Sequence, residues 1–230
     1  MKAVEKNVRW TKKLLNKKFE NMNFEALTVL SKTINNCTFI NIEFKHSSLG
    51  SKTTYKNCKF IKCTYTGMYA SLGNPSNFIN CIFQDCTFQG KMMFMGSIFR
   101  NSKFSGKMKN NILTNEKRCL KKLYKFEHCD LTAIEFENVS LNGNRFFKSC
   151  QLPKSSIRTF ENDNDELIDF ALKQIEGLDA EIKKSIAVIF DKKLRSGLNP
   201  FIIDIPFLKN FLDEAGKLEF EKIVNKFEIK

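Results

Sequence analysis

Aromatic rings recur through most of this chain at five-residue intervals, and that period constrains the fold more tightly than any other feature. Phe19, Phe24, Val29, Ile34, Phe39, Phe44 and Leu49 lie five apart, and after a slip of one residue come Tyr55, Phe60 and Tyr65. The series resumes with Phe78, Phe83 and Phe88, then Phe94, Phe99 and Phe104, then Phe126, Leu131, Phe136, Leu141 and Phe146, leaving Phe147 off the beat. Because slips can be chosen to suit the rings, the cysteines serve as an independent test. Cys37, Cys58, Cys63, Cys81, Cys86 and Cys129 each stand two residues before a beat position, and Cys150 does so if Leu152 continues the series. A random placement would put a fifth of them there, so the period is a property of the chain.

Five is neither the 3.6 of an amphipathic helix nor the 2 of a half-buried strand. A chain that turns a corner every five residues, with one large and one small residue inward on each side, closes a square coil in about 20 residues, and stacked coils bury a continuous core. Cysteine fits the small inward slot because it packs as a compact hydrophobe. Phe accounts for 23 of the 230 residues, and this core uses the excess.

The segments NCTFINIEF (36 to 44), NCKFIKCTY (57 to 65), NCIFQDCTF (80 to 88) and HCDLTAIEF (128 to 136) resemble pentapeptide-repeat proteins. Their loose consensus is a small residue, a polar residue, Leu or Phe, and two variable positions. Here Cys-x-Phe replaces the commoner Ala-x-Leu, and the polar residue more often precedes the cysteine. The resemblance implies a mainly β fold, a right-handed four-sided parallel β-helix, over residues 19 to 157. The structural core is then Cys37, Phe39, Cys58, Phe60, Cys63, Tyr65, Cys81, Phe83, Cys86, Phe88, Cys129 and Leu131. Residues 26 to 35 fit least well, since Lys32 would point inward, and an irregular coil is expected there.

An open β-helix exposes core and strand edges at its ends. Val4, Val8, Thr11 and Leu15 fall on one helical stripe, with Trp10 and Leu14 beside it, which predicts an N-terminal capping helix over residues 1 to 18. From residue 158 to 230 the period changes to 3.6. Leu167, Phe170, Ala171 and Gln174 or Ile175 mark one helix ended by Gly177, and Ile182, Ile186, Ile189 and Phe190 mark a second over Asp179 to Arg195. NPFIIDIP reads as an extended or turn segment, and two more helices fit 206 to 215 and 217 to 228. This C-terminal helical module could cap the rod, form a homodimer, or recruit a partner.

The charge of +13 is uneven. Residues 1 to 18 carry +6, 19 to 105 carry +5, 106 to 124 carry +5, 125 to 157 are neutral and 158 to 230 carry −3. The beat breaks at about 106 to 123, a basic insertion whose Lys107, Lys109, Lys117, Arg118, Lys121 and Lys122 are candidate ligands for an anionic partner. The alternative is a loop that only solvates.

Catalytic and metal chemistry find little support. One packing rule places Cys58, Cys63, Cys81 and Cys86 together with three other cysteines, and none has a histidine at zinc-ligand spacing. Cys119, off the beat in EKRCLKK, has cationic neighbours that could activate a thiol, or belongs with Leu120 and Leu123 to the apolar side of a helical turn. His46 and His128 are the two histidines, neither in a triad arrangement, and His128 takes the corner place that Asn holds elsewhere. Neither glycine-rich phosphate loops nor paired carboxylates at a diagnostic spacing occur. The expectation is a protein that is not an enzyme and uses no cofactor or metal.

Without a signal-like apolar run or an apolar stretch long enough to span a membrane, and with eight cysteines read as thiols, the chain is expected in the cytoplasm. The leading functional expectation is a binding scaffold whose rod faces and helical tail engage another protein. Nucleic-acid binding through the basic front half and insertion is the first alternative. The second is mimicry of DNA towards gyrase or topoisomerase IV, which the resemblance implies for the quinolone-resistance branch. The +5 charge of residues 19 to 105 opposes it, because a mimic must present negative charge.

Overall fold

Among the described residues, sixteen other than glycine take positive φ, and most sit at a corner between two short strands. Asn36, Asn41, Asn57, Asn80 and Asn101 are typical, with φ from 48° to 54°. Asn enters this left-handed region at less cost than other residues with a β-carbon, and it most often stands before the inward small residue and sets the turn, although Lys62, Asp85 and His128 take the same corner conformation. The computed structural model describes residues 2–68, 70–73, 75–90, 93–94, 96–114, 125–137, 139–142, 147–153, 157–160, 164–190, 201–204, 209 and 212–228. They form a parallel β-solenoid of about six turns, followed by helices. Two compact units result, Met1–Ser155 and Ser156–Lys230.

Among the described residues, four register ladders run through the solenoid. Phe19, Phe39, Phe60, Phe83 and Phe104 pair in sequence. Phe24, Phe44, Tyr65, Phe88, Met108 and Phe136 form a second ladder. Leu14, Ile34, Tyr55, Phe78, Phe99, Phe126 and Phe147 form a third. The fourth joins Trp10 to Val29 and Leu113 to Leu141, with bridges linking Thr28, Ser48 and Ser71 between them. Rings within a ladder stack nearly parallel, at 4.7 Å for Phe39 on Phe60 and 4.8 Å for Phe60 on Phe83. That is the spacing of hydrogen-bonded strands, so backbone pairing and ring stacking share one repeat. Rings of neighbouring ladders meet edge to face, as Phe99 meets Phe104 at 77°.

The small slots are equally regular. Cys37, Cys58, Cys63, Cys81, Cys86 and Cys129 are buried, as are the large residues that follow them. Each thiol donates to a carbonyl, for example Cys58 to Lys56 at 3.4 Å and Cys86 to Phe60 at 3.3 Å. Thr53, Ser76, Ser97 and Ser102 fill the same slot elsewhere, their hydroxyls satisfied by carbonyls such as Ser31 O and Gly73 O. A hydroxyl or thiol thus enters an apolar core with its donor paired.

Several sequence-based expectations are corrected. Residues 3 to 20 form no helix: β1 (Ala3–Lys6), β2 (Arg9–Trp10), β3 (Leu14–Leu15) and β4 (Lys18–Glu20) make the first coil, each parallel to a strand of the next. The apolar residues suited both periods, and pairing with the following coil selected the strand. Lys32 is exposed, because Ser31 takes the inward slot and donates to Thr33 O at 3.0 Å. Phe147, not counted on the beat, stacks 5.3 Å from Phe126 and is buried.

The break at 106 to 123 is shorter than expected. The strand Lys103–Lys109 continues the coil, with Gly106 opposite Cys86 and Met108 opposite Phe88, and Ile112–Thr114 pairs with Ser140–Asn142. Gly106 obscured the register: its φ of +107° and a backbone contact with Cys86 leave no room for a side chain in the small slot. Residues 115 to 124, with Cys119, lie outside the described residues.

In the second unit, α1 (Asn164–Gln174), α2 (Ala180–Ile189) and α3 (Glu214–Glu228) bury Leu167, Ile168, Ile186, Phe220 and Val224 in one cluster. Asp179 caps α2 by accepting from Glu181 N at 2.9 Å. The second helix ends at Ile189 rather than running to 195, and residues 191 to 200 lie outside the description. The break expected near 216 lies upstream, at residues 212–213: Asp213 accepts from Gly216 N at 2.7 Å and starts α3 before the glycine, while most of the helix expected over 206 to 215 falls outside the described residues. Phe201–Asp204 pairs antiparallel with Ile157–Phe160.

Candidate interaction surface

Because residues alternate in and out along each short strand, every inward ring is flanked by two outward side chains that repeat from coil to coil. One ladder presents Lys18, Thr38, Lys59, Ile82, Lys103 and Asp130 in register. Another presents Glu43, Thr64, Thr87, Lys107 and Glu135. Corner asparagines join across coils: Asn57 donates to Asn36 Oδ1 and Asn80 to Asn57 Oδ1, both at 3.2 Å, and Asn41 donates to Asn21 Oδ1 at 2.7 Å. The outside is therefore a lattice of mostly polar groups at strand spacing, with Ile40, Ile61, Ile79 and Ile82 set among them.

The basic candidates divide into two groups. Lys107 and Lys109 are not on a loop but project from the strand Lys103–Lys109, where Glu135 lies 2.9 Å and Glu137 2.6 Å away. The hydrogen bond that Lys107 donates to Glu135 holds its ammonium above its usual range, and Lys109 holds Glu137 below the usual carboxylate range. On neighbouring ladders Arg100 pairs with Glu127 at 2.6 Å and Lys103 approaches Asp130 at 3.9 Å. Exposed pairs of this kind contribute little to stability, yet they neutralise cations that an anionic partner would need. Lys117, Arg118, Lys121 and Lys122 lie outside the described residues. The pairing could have been read from sequence only with Met108 placed opposite Phe136, a register that the glycine at 106 concealed.

The inside offers little chemistry. Burial pushes the Cys37 and Cys86 thiols up, and it holds the Tyr55 and Tyr65 hydroxyls well above the usual phenol range. Side-chain hydrogen bonds with Cys81 and Cys86 lower Cys58 and Cys63 in turn, but thiols held up as Cys37 and Cys86 are, packed between rings, are poor nucleophiles and poor metal ligands. Among the described residues, no group of three or more His, Cys, Asp or Glu is arranged to hold a metal ion. His46 and His128 sit exposed at corners with φ of 51° and 53°. Among the described residues, no helix is long and apolar enough to cross a membrane.

Sequence reasoning missed one buried cation. Lys125 is fully enclosed beside Phe126, its Nζ donates to Phe94 O at 2.6 Å, and burial lowers it to about 8.

No family model matches this chain, and no curated protein does. Nine chains of solved structures match. One is trypsin-treated QnrB1, a plasmid-mediated fluoroquinolone resistance protein, 14% identical, with a match covering 60% of this chain and 91% of that chain at a TM-score of 0.24.

Proposed function

We propose that the protein is a pentapeptide-repeat solenoid, right-handed and four-sided, that acts without catalysis as a cytoplasmic binding scaffold. It engages another macromolecule, a protein, through the outer faces of the rod and through its helical module. The observation that supports this reading is the division of chemistry between inside and outside. Inward slots hold stacked rings and hydrogen-bonded thiols and hydroxyls, which leaves them nothing to offer a substrate. Outward positions repeat polar side chains and a few isoleucines in fixed register on a rigid frame, a preorganised surface that loses little freedom on binding.

Neutralisation of Lys107 and Lys109 weakens the nucleic-acid alternative at two of its six residues. The positive charge of residues 19 to 105 continues to oppose DNA mimicry.

The test places a photo-crosslinking side chain in the full-length protein, one position at a time, at Thr38, Ser48, Thr54 and Thr64, which represent the four ladders, and on α3. Irradiation in the native cell is expected to yield one macromolecular adduct from neighbouring rungs of one surface, sensitive to protease. A nuclease-sensitive adduct would instead support nucleic acid. No adduct from any position overturns the scaffold reading.

A further inference from the structure

Among the described residues, the first coil has an unpaired outer edge. Each of β1 to β4 has a single neighbour in the second coil, so among the described residues nothing pairs with their outer edges. The core is also uncovered there. Trp10, Leu14 and Phe19 are half-buried, whereas their equivalents one or two coils further in are enclosed. Val4 and Leu15, in register with outward Asn23 and Asn35, add apolar surface on the outside of this coil, 57% and 45% exposed. Trp10 covers the ring stack in place of a helix, lying 4.9 Å from Phe19 and 5.3 Å from Phe24. Around this mouth residues 1 to 18 carry +6. Arg9, Lys12, Lys13 and Lys17 are exposed and have no ion-pair partner among the described residues.

We propose that this end is a strand-addition site for an acidic, extended segment of the partner. The proposal deepens the scaffold reading above and rests on it. An extended chain satisfies the open N–H and C=O groups of an edge strand, which a helix cannot do. An apolar side chain on its inner face covers Trp10, and carboxylates on its outer face meet Arg9, Lys12, Lys13 and Lys17. A second copy meeting this end with its own first coil would set +6 against +6, so charge complementarity favours an acidic occupant over that pairing. Glu5 narrows the position further. It stands in register with inward Phe24, and its carboxylate occupies the place where another coil would put a core residue. The segment therefore lies along the sides built by β2 and β3, where the cations cluster, and not along β1.

The chain has one tryptophan, and it is Trp10, so its emission reports on this end alone. The probe is a synthetic labelled peptide of alternating Glu and Val with one central Phe, mixed with the full-length protein at low salt. Two control peptides carry Lys in place of Glu, or N-methyl groups along one backbone edge with the side chains unchanged. The acidic peptide is expected to shift Trp10 emission to the blue and to bind roughly ten-fold or more tightly than either control. The Lys12→Glu, Lys13→Glu double variant is expected to lose roughly ten-fold in affinity with its circular dichroism unchanged.

Binding that leaves Trp10 emission unmoved, or equal affinity for the N-methylated peptide, overturns the end site while leaving the crosslinking test of the scaffold intact. Absence of peptide binding overturns the end site as well. So does a blue shift that grows with protein concentration alone, which would assign the end to a second copy, or tighter binding of single-stranded DNA that moves Trp10.

Discussion

Replacing Phe60 by Ala removes a ring from the middle of its ladder, and the structure sets the scale of the effect. Phe60 is fully buried and lies between Phe39 at 4.7 Å and Phe83 at 4.8 Å. Tyr55 and Phe78 approach from a neighbouring ladder at 6.0 Å and 6.3 Å. The strands above and below are fixed by hydrogen bonds at the same spacing, so the coil cannot collapse into the space. The loss should lie at the full cavity-forming value of about 3–5 kcal/mol. Two stacked contacts, each contributing about 0.5–1.5 kcal/mol beyond area burial, place it in the upper part of that range. Phe19→Ala is the internal control. It removes the same atoms from the half-buried first coil, where water can fill the gap, and should cost about 2 kcal/mol or less. Urea unfolding followed by far-ultraviolet circular dichroism gives both values, whereas Trp10 fluorescence would weight the end coil. Equal costs at the two positions, or a small cost at Phe60, would refute the stacked, incompressible core.

Three further outcomes follow from local geometry. Asn57 holds φ of 54° and bridges Asn36 and Asn80 through its amide, so Asn57→Val should cost about 2 kcal/mol or more and Asn57→Gly clearly less in the same unfolding assay. Gly106→Ala puts a β-carbon 2.1 Å from Cys86 O, a backbone atom that cannot move aside, and should abolish folded expression, while Gly177→Ala, with open space around it, should be neutral. Lys125, lowered to about 8 by burial, destabilises the fold fully at pH values below 8. As pH rises from there towards the ordinary lysine value the unfolded chain holds the extra proton, so stability rises by up to about 3 kcal/mol. Lys125→Met should remove that slope, and a wild-type slope equal to the variant's would refute the burial argument.

Particular residues show what was legible and what was not. The Cys-x-Phe spacing carried the core, because a corner every five residues forces the same side chains inward whatever the coil packs against. Val4, Val8, Trp10 and Leu15 misled, since a short apolar series fits a helical stripe and a strand-and-corner pattern alike. Only the partner strands 22–25 and 28–29 decide between them. Lys107 and Lys109 looked free because Glu135 and Glu137 are distant in sequence, and only the coil register brings them within hydrogen-bonding distance.

The sequence by itself determined the coiled architecture and most of its interior, because a local period dictates burial coil by coil. The tertiary structure decided how the rod begins, how Gly106 keeps the register and which cations face carboxylates. Each of these depends on the identity of a residue one full coil away, and no local pattern encodes that distance when its length varies from coil to coil.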